Sequence, residues 1–400
     1  MEADGEAPLS GPRRRPDAPA DDLRPLPLDG VLIVALEQAV AAPFATRQLA
    51  DLGARVIKVE RDSGDFARGY DTKVRGMSSY FVWLNRGKES VVLDLKSPTG
   101  RRALHALVER ADVLVQNLAP GAVERLGMGA DQALALNPRL IHVSVSGYGR
   151  GGPYEQKKAY DLLVQCEAGL MSVTGTAEAP AKVGISIADI CAGMYAYSAV
   201  LTALLQRSAT GIGDVVEVSM LEALAEWMSQ PYYYTEYGGG PPGRSGAQHA
   251  SIAPYGPFTV AGGQVFFGIQ NDREWTRFCR DVLDRPELAE DPRFVGNASR
   301  VEHRPALHEA VGRVLSGLTA AETLKRLDAA GIANARLRTM EELSSHPQLA
   351  ARGRWEEIAS PVGPLRTLRP VVTARQTAVQ MGAVPSLGQH TDAVLKELGL

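Results

Sequence analysis

Two aspartates stand where helices should begin, and a carboxylate in such a place can do chemistry. Asp189 follows Val183-Gly184-Ile185-Ser186-Ile187-Ala188 and directly precedes a long apolar stretch. It reads either as a helix cap, accepting orphan N–H groups of the first turn, or as a carboxylate held ionised by the positive helix end and available as a nucleophile. The two roles are compatible. Asp161, in Tyr160-Asp161-Leu162-Leu163-Val164-Gln165, stands at a second helix start beside Lys157, Lys158 and Tyr160, and reads as a cap. Gly147-Tyr148-Gly149-Arg150-Gly151-Gly152 has dinucleotide-fingerprint spacing, but Pro153 and the polar Tyr154-Glu155-Gln156-Lys157-Lys158 follow where a helix should open. Its strand is also the fifth, not the first, so it reads as a glycine-rich turn. Gly87-Lys88 is followed by Glu89 and lacks the upstream glycine of a Walker A loop.

No His pair has metal-ligand spacing, and no metal is expected. Cys166, Cys191 and Cys279 are far apart and odd in number, which excludes a disulfide framework and a Cys-ligated zinc site and points to a reducing, cytoplasmic compartment.

The elements that must position these residues are legible as alternating patterns. Short apolar runs at Val31–Leu36, Val56–Val59, Val91–Leu95, Val113–Val115, Leu140–Val145 and Val215–Val218 read as strands. Amphipathic stretches lie between several of them, one around Pro43, Leu49 and Leu52, another opened by Ser97-Pro98. Strands spaced by helices predict a mostly parallel α/β sheet with helices on both sides. From about Ile190 to Arg207 the pattern is apolar almost all round, which predicts a helix buried in the core or in a subunit interface. After Tyr232-Tyr233-Tyr234, the run Gly238-Gly239-Gly240-Pro241-Pro242-Gly243 reads as a linker or loop.

With 400 residues one core is too few, so two domains are expected. Residues 1–28 read as a disordered leader with no apolar core of a signal peptide. Residues 29–225 read as the first part of a large α/β domain, 226–335 as a smaller domain, and 336–400 as a return to the large one. The 43 Lys and Arg nearly balance 46 Asp and Glu, giving a net charge of −3 and no basic stripe for nucleic acid. No stretch reaches the roughly 18 apolar residues that span a bilayer, so no membrane partner is expected.

The chain resembles the class III CoA-transferases from about residue 28 to 400. The resemblance rests on motifs in order: Leu52-Gly53-Ala54 before Val56-Ile57-Lys58-Val59-Glu60; Asn85-Arg86-Gly87-Lys88-Glu89-Ser90 before Leu93-Asp94-Leu95-Lys96; Gln116-Asn117, Pro120-Gly121 and Arg125-Leu126-Gly127; Leu136-Asn137-Pro138-Arg139-Leu140-Ile141; Ala188-Asp189; Asn271-Asp272-Arg273-Glu274-Trp275; and Leu387-Gly388-Gln389-His390-Thr391-Asp392. It implies a Rossmann-like large domain plus a smaller α+β domain, in an interlocked, ring-like homodimer. It also implies CoA transfer from an acyl-CoA to a small carboxylic acid, with acyl-CoA as substrate and no permanently bound cofactor. Asp189 would be the nucleophile, passing through an aspartyl anhydride and an aspartyl-CoA thioester.

The positions matching the family's CoA contacts are Gln38, Val40, Arg61, Leu93, Lys96, Asn117, Arg125, Lys158 and Tyr160. Arg and Lys suit phosphates through charge-assisted hydrogen bonds. Gly238, Gly239 and Gly240 resemble the family's shielding glycine loop. Gln38 and Val40 replace the His and Gln of formyl-CoA transferase, and Asp161 replaces its Glu, which argues against a formyl or oxalyl substrate. The α-methylacyl-CoA racemases share the fold but use a His and a Glu where this chain has Tyr160 and Gln270. A phenol of ordinary pKa near 10 and a neutral amide do not replace them in proton abstraction. The stretch from His249 to Phe258, with Gly268-Ile269-Gln270-Asn271, is similar to transferases acting on C4–C5 dicarboxylates of the succinyl or mesaconyl type. Arg244 or His249 would then meet a second carboxylate. Besides the racemase, a non-catalytic CoA-binding protein is the alternative on this fold.

Overall fold

The computed structural model describes residues 26–400, so the expected leader up to residue 25 lies outside the described residues. Leu26 already packs where a Cβ on Gly53 would stand, and the Leu28 N–H donates to the Leu52 carbonyl. The chain folds as two compact units. The first holds the described residues up to Ala168, Val183–Ser229 and Ala351–Leu400; the second holds Gly169–Lys182 and Gln230–Ala350.

The first unit is built on strands β1 (Leu32–Leu36), β2 (Arg55–Glu60), β3 (Lys88–Val92), β4 (Val113–Gln116), β5 (Ile141–Ser146) and β6 (Asp214–Ser219). All pair in parallel, in the order β3-β2-β1-β4-β5-β6. This is the doubly wound Rossmann order, whose direction reverses between β1 and β4. The α/β expectation and the Rossmann-like large domain are borne out. Helices α1 (Ala41–Asp51), α2 (Ser79–Asn85), α3 (Pro98–Arg110), α4 (Ala122–Arg125), α5 (Ala130–Leu136) and α6 (Asp161–Glu167) intervene, with the short α7 (Leu170–Val173) in the second unit. Ser97 caps α3 by accepting the Gly100 N–H, with Pro98 in the first turn, as the sequence predicts. One core fills the space under α3, from Leu32, Val34 and Ile57 to Leu104, Leu107 and Val108.

Strand β3 starts three residues before the expected apolar run. Its Lys88, Glu89 and Ser90 are buried polar residues that hydrophobic patterning passes over, and Leu93 falls just beyond the strand's carboxyl end. The free edge of β3 is covered by the terminal Leu387–Asp392 motif. The Ser90 N–H donates to His390 Nδ1 at 3.1 Å, the His390 N–H donates to the Ser90 carbonyl at 3.0 Å, and the Val92 N–H donates to Thr391 Oγ1 at 3.0 Å. Edge donors that would otherwise recruit a foreign strand are thereby satisfied.

Helix α8 (Ile187–Thr210) is the long apolar helix. At 24 residues it is long and apolar enough to cross a bilayer by length and composition, which corrects the expectation that no segment reaches that length. Here its Ala188, Cys191, Ala192, Ala196 and Val200 lie in the core. Gly193 lets it cross α1 closely, since a Cβ there would stand 2.6 Å from the Ala41 carbonyl oxygen. Its other face stays open, with Leu205 74% exposed. Helix α9 (Met220–Trp227), capped by Ser219, follows β6. The remaining part of this unit carries the antiparallel pair β10 (Trp355–Ile358) and β11 (Leu365–Leu368) and a final helix, Thr391–Glu397.

The second unit has a three-stranded antiparallel sheet of β7 (Tyr255–Val260), β8 (Gly263–Gly268) and β9 (Ala333–Ala335). Helices Asp272–Arg277, Arg304–Leu315 and Ala320–Ala329 enclose its core of Trp275, Phe278, Phe294, Leu307, Val311 and Leu327. Tyr232, Tyr233 and Tyr234 lie within helix α10 (Ser229–Tyr237), and the glycine run begins after it.

Candidate active site

At the carboxyl ends of β1, β2 and β3, beside the switch point of the sheet, lies a cavity of about 680 Å³. The sequence-predicted Gln38, Arg61, Leu93 and Lys96 all line it, joined by Leu118 and Leu126, chain neighbours of Asn117 and Arg125. Open α/β sheets bind ligands at this place because the loops there diverge. Arg61 Nη2 donates to Gln38 Oε1 at 3.0 Å, and Arg61 Nε donates to the Gly64 carbonyl at 3.2 Å. Asn117 does not face the cavity as a free amide. Its Oδ1 accepts the Gln38 N–H at 2.8 Å and its Nδ2 donates to the Gln38 carbonyl at 2.8 Å, so it braces the wall. Val40 is buried as the residue that enters α1. Arg125 ends α4 and is exposed, as are Lys158 and Tyr160 before α6; none of these three lines the cavity.

Glu37, Glu60 and Asp65 also line the cavity, and they belong to a buried network of charges that the sequence reading did not assemble. Lys58 Nζ donates to Asp65 Oδ2 at 2.9 Å and to Glu37 Oε1 at 3.4 Å; Lys88 Nζ donates to Glu37 Oε1 at 2.6 Å. Thr46 Oγ1 donates to Glu37 Oε2 at 2.6 Å. Arg68 and the Ser90 hydroxyl both donate to Glu60. Burial opposes the charge on Glu60, yet Arg68, Lys58 and Ser90 hold its carboxyl down at about 2. Burial wins at Lys88: despite Glu37, desolvation and the like charge of Lys58 bring its ammonium down to about 7. Part of the signal was present in the sequence, since Lys58 lies inside the apolar run of β2 and Glu37 directly follows that of β1, and a buried charge must be paired.

Asp189 occupies the third position of α8, not its cap. The flanking residue Ser186 makes no side-chain cap, and the first-turn N–H of Ala188 donates instead to Asp161 Oδ1 at 2.8 Å. Asp161 also accepts from Gln165 Nε2 at 2.7 Å. Capping is thus done by Asp161, and it is done for α8, not for its own helix α6. Among the described residues no donor or cation reaches the Asp189 carboxylate. Burial, and after it the negative charge of Asp161, push Asp189 up to about 7. The expectation of a carboxylate held ionised by the helix end is therefore corrected: burial and the like charge of Asp161 favour its protonated form. Tyr70, missed from the sequence, lies within electrostatic reach of this group. Burial and the charges of Asp65 and Asp189 push its phenol up to about 12.

The remaining candidates fall in the second unit. Arg244 Nε and Nη2 donate to the carbonyls of Thr176 and Ala177 at 2.8 and 3.0 Å. His249 stacks on Tyr255, with 5.1 Å between centroids, and accepts the Ser251 N–H. Gln270 is exposed, and its N–H donates to Glu274. Gly238 closes α10 by donating to the Tyr234 carbonyl, while Gly239 and Gly240 stand in open space at φ 84° and 158°.

Comparison with known proteins places this geometry. The family model described as CoA-transferase family III matches residues 28–391. The acetyl-CoA:oxalate CoA-transferase of Acetobacter aceti is 38% identical over 329 residues, covering 82% of this chain and 84% of its own. The succinyl-CoA:glutarate CoA-transferase of Homo sapiens is 32% identical over 391 residues, covering 96% and 88%. Among solved structures, a CAIB/BAIF family protein from Brucella suis superposes with a TM-score of 0.83 at 31% identity, covering 94% of this chain and 100% of that one. The chain belongs to CoA-transferase family III and is a class III acyl-CoA:carboxylate CoA-transferase.

Proposed function

We propose that this protein moves CoA from succinyl-CoA to a C4–C5 dicarboxylate through covalent intermediates on Asp189. The observation that carries the reading is Asp189 itself: a partly buried carboxylate, free of hydrogen-bond donors, in the unit that holds the cavity at the sheet's switch point. An uncommitted carboxylate is a nucleophile, and a dry one is spared competition from water. An Asp189 oxygen attacks the thioester carbonyl, the C–S bond breaks, and CoA leaves as thiolate from a mixed anhydride. The thiolate attacks the aspartyl carbon, the anhydride C–O bond breaks, and the donor acid departs from an aspartyl-CoA thioester. The acceptor carboxylate reverses both steps and restores Asp189.

The dicarboxylate assignment is supported by relatives. They are named as succinyl-CoA:glutarate CoA-transferase in Mus musculus, 32% identical, and succinyl-CoA–D-citramalate CoA-transferase in Chloroflexus aurantiacus, 33% identical. Gln38, Arg61, Leu93 and Lys96 hold the nucleotide end of CoA, with Val40, Asn117, Arg125, Lys158 and Tyr160 completing its site. As the family resemblance implies, Arg244 or His249 is assigned to the substrate's second carboxylate, Gln270 to the substrate, and Gly238, Gly239 and Gly240 to shielding the intermediates. A second copy covers the open apolar face of α8, on which Met194, Tyr195 and Leu205 are exposed. The result is an interlocked homodimer, with neither nucleic acid nor a membrane required. We assign it to the cytoplasm, in keeping with three cysteines that no disulfide joins.

Intact-protein mass after incubation with succinyl-CoA tests the reading. A CoA-sized or succinyl-sized adduct that hydroxylamine removes, absent from Asp189→Ala, is the expected result. No adduct despite CoA binding, or α-deuteration of a 2-methylacyl-CoA in heavy water without an acceptor acid, overturns it.

A further inference from the structure

Ala39 adopts φ 63°, one of three described non-glycine residues in the left-handed region. A side chain there is strained, and such strain persists only where the surroundings over-determine it. Ala39 lies between Gln38, which lines the cavity, and Val40, which enters α1. Its neighbours supply the constraint. Asp65 Oδ1 accepts the Ala39 N–H at 3.1 Å, while Asn117 grips Gln38 on both its N–H and its carbonyl at 2.8 Å.

Asp65 is 3% exposed and fully engaged. Its Oδ2 accepts from Lys58 Nζ at 2.9 Å, its Oδ1 also accepts the Ala67 N–H at 2.9 Å, and its own N–H donates to Glu60 Oε2 at 2.9 Å. The Ala67 contact caps the turn Phe66–Gly69, which leads to Tyr70. One carboxylate thus ties the strained loop after β1, the buried lysine of β2 and the turn toward Tyr70.

We propose that Asp65 is a positioning residue that clamps Ala39 in its left-handed conformation within the Gln38–Val40 loop and so shapes the CoA cavity before ligand arrives. The inference rests on the cavity being the CoA site. Asp65 also lines the cavity, so the test must separate its contact with ligand from its hold on Ala39: the pre-formed loop spares CoA the work of ordering it, and losing the clamp weakens binding through Ala39.

Calorimetric titration with free CoA on the full-length protein tests this through a double-mutant cycle of Asp65→Ala and Ala39→Gly. Glycine reaches the left-handed region at no steric cost. Asp65→Ala should weaken CoA binding about tenfold in the native background and less than about threefold in the Ala39→Gly background, because the strain the clamp opposes is gone. The loss of thermal stability from leaving Lys58 short of a partner should be equal in both backgrounds. An equal loss of affinity in both, or none in the native background, overturns the inference. If Asp65→Ala does not fold, hydrogen exchange of the native protein decides. Ala39 N–H protection matching that of β1 without CoA supports the clamp, and protection appearing only with CoA overturns it. A native protein that binds no CoA overturns the cavity reading itself, a result distinct from either.

Discussion

Asp161 Oδ1 accepts the Ala188 N–H at 2.8 Å, so the carboxylate that caps the helix of Asp189 comes from a different helix. This division of labour has two consequences. An orphan donor of the first turn is satisfied without Asp189, whose carboxylate stays uncommitted. The price is a like charge nearby, which together with burial pushes Asp189 up to about 7.

The pH dependence of the reaction should report this arrangement. In the proposed mechanism the nucleophile is the Asp189 carboxylate, so kcat/KM for acyl-CoA should rise with pH along a limb centred near 7 as Asp189 ionises. Asp161→Asn removes the neighbouring charge and keeps an oxygen that can accept the Ala188 N–H. The limb should then move to lower pH, and a pH–rate profile that does not move refutes the coupling.

Asp189→Asn should separate chemistry from stability. Turnover should fall by at least about 10³-fold while CoA binding changes by less than about threefold. Between the ordinary 3.8 and about 7 the folded chain binds more protons at Asp189 than the unfolded chain. Stability therefore falls as pH rises through that window in the native protein. Urea titrations at several pH values should show the variant free of that loss and about 2 kcal/mol more stable than the native chain at pH 8.

Lys88 gives the opposite slope. Its ammonium titrates at about 7 when folded against 10.5 ordinarily, so the unfolded chain binds the extra proton across that interval. This group's contribution makes stability rise with pH from about 7 to about 10. Lys88→Met should remove that rise in urea titrations at pH 7 and 9. A rise of the same size in the variant would assign it to another group.

Arg61 should act on binding and not on turnover. It lines the cavity with its guanidinium on Gln38 Oε1. Arg61→Ala should raise KM for acyl-CoA about tenfold, leave kcat within about threefold, and weaken the salt dependence of KM. Steady-state kinetics at two ionic strengths measures all three.

Much of the fold was legible because apolar runs repeat with helices between them. Val31–Leu36, Val56–Val59 and Leu140–Val145 all fall on strands of the parallel sheet. Gln38, Arg61, Leu93 and Lys96 were legible as cavity residues because they follow strand ends or match motifs, and the sheet gathers strand ends in one place.

The sequence by itself determined which residues carry charge, roughly where helices start, and that Asp189 stands at the start of a long apolar helix. Only the tertiary structure decided what each charge faces. Glu37, Lys58 and Lys88 are 21 to 51 positions apart and meet because three parallel strands align in register. Gly169–Lys182 joins the second unit because Gly246 and Arg244, far along the chain, donate to its Gly175, Thr176 and Ala177 carbonyls. Asp161 caps the helix of Asp189 across 27 positions, a pairing no local pattern encodes. Short-range spacing sets local conformation, whereas a side chain's protonation depends on burial and on charges that only the folded chain brings within reach.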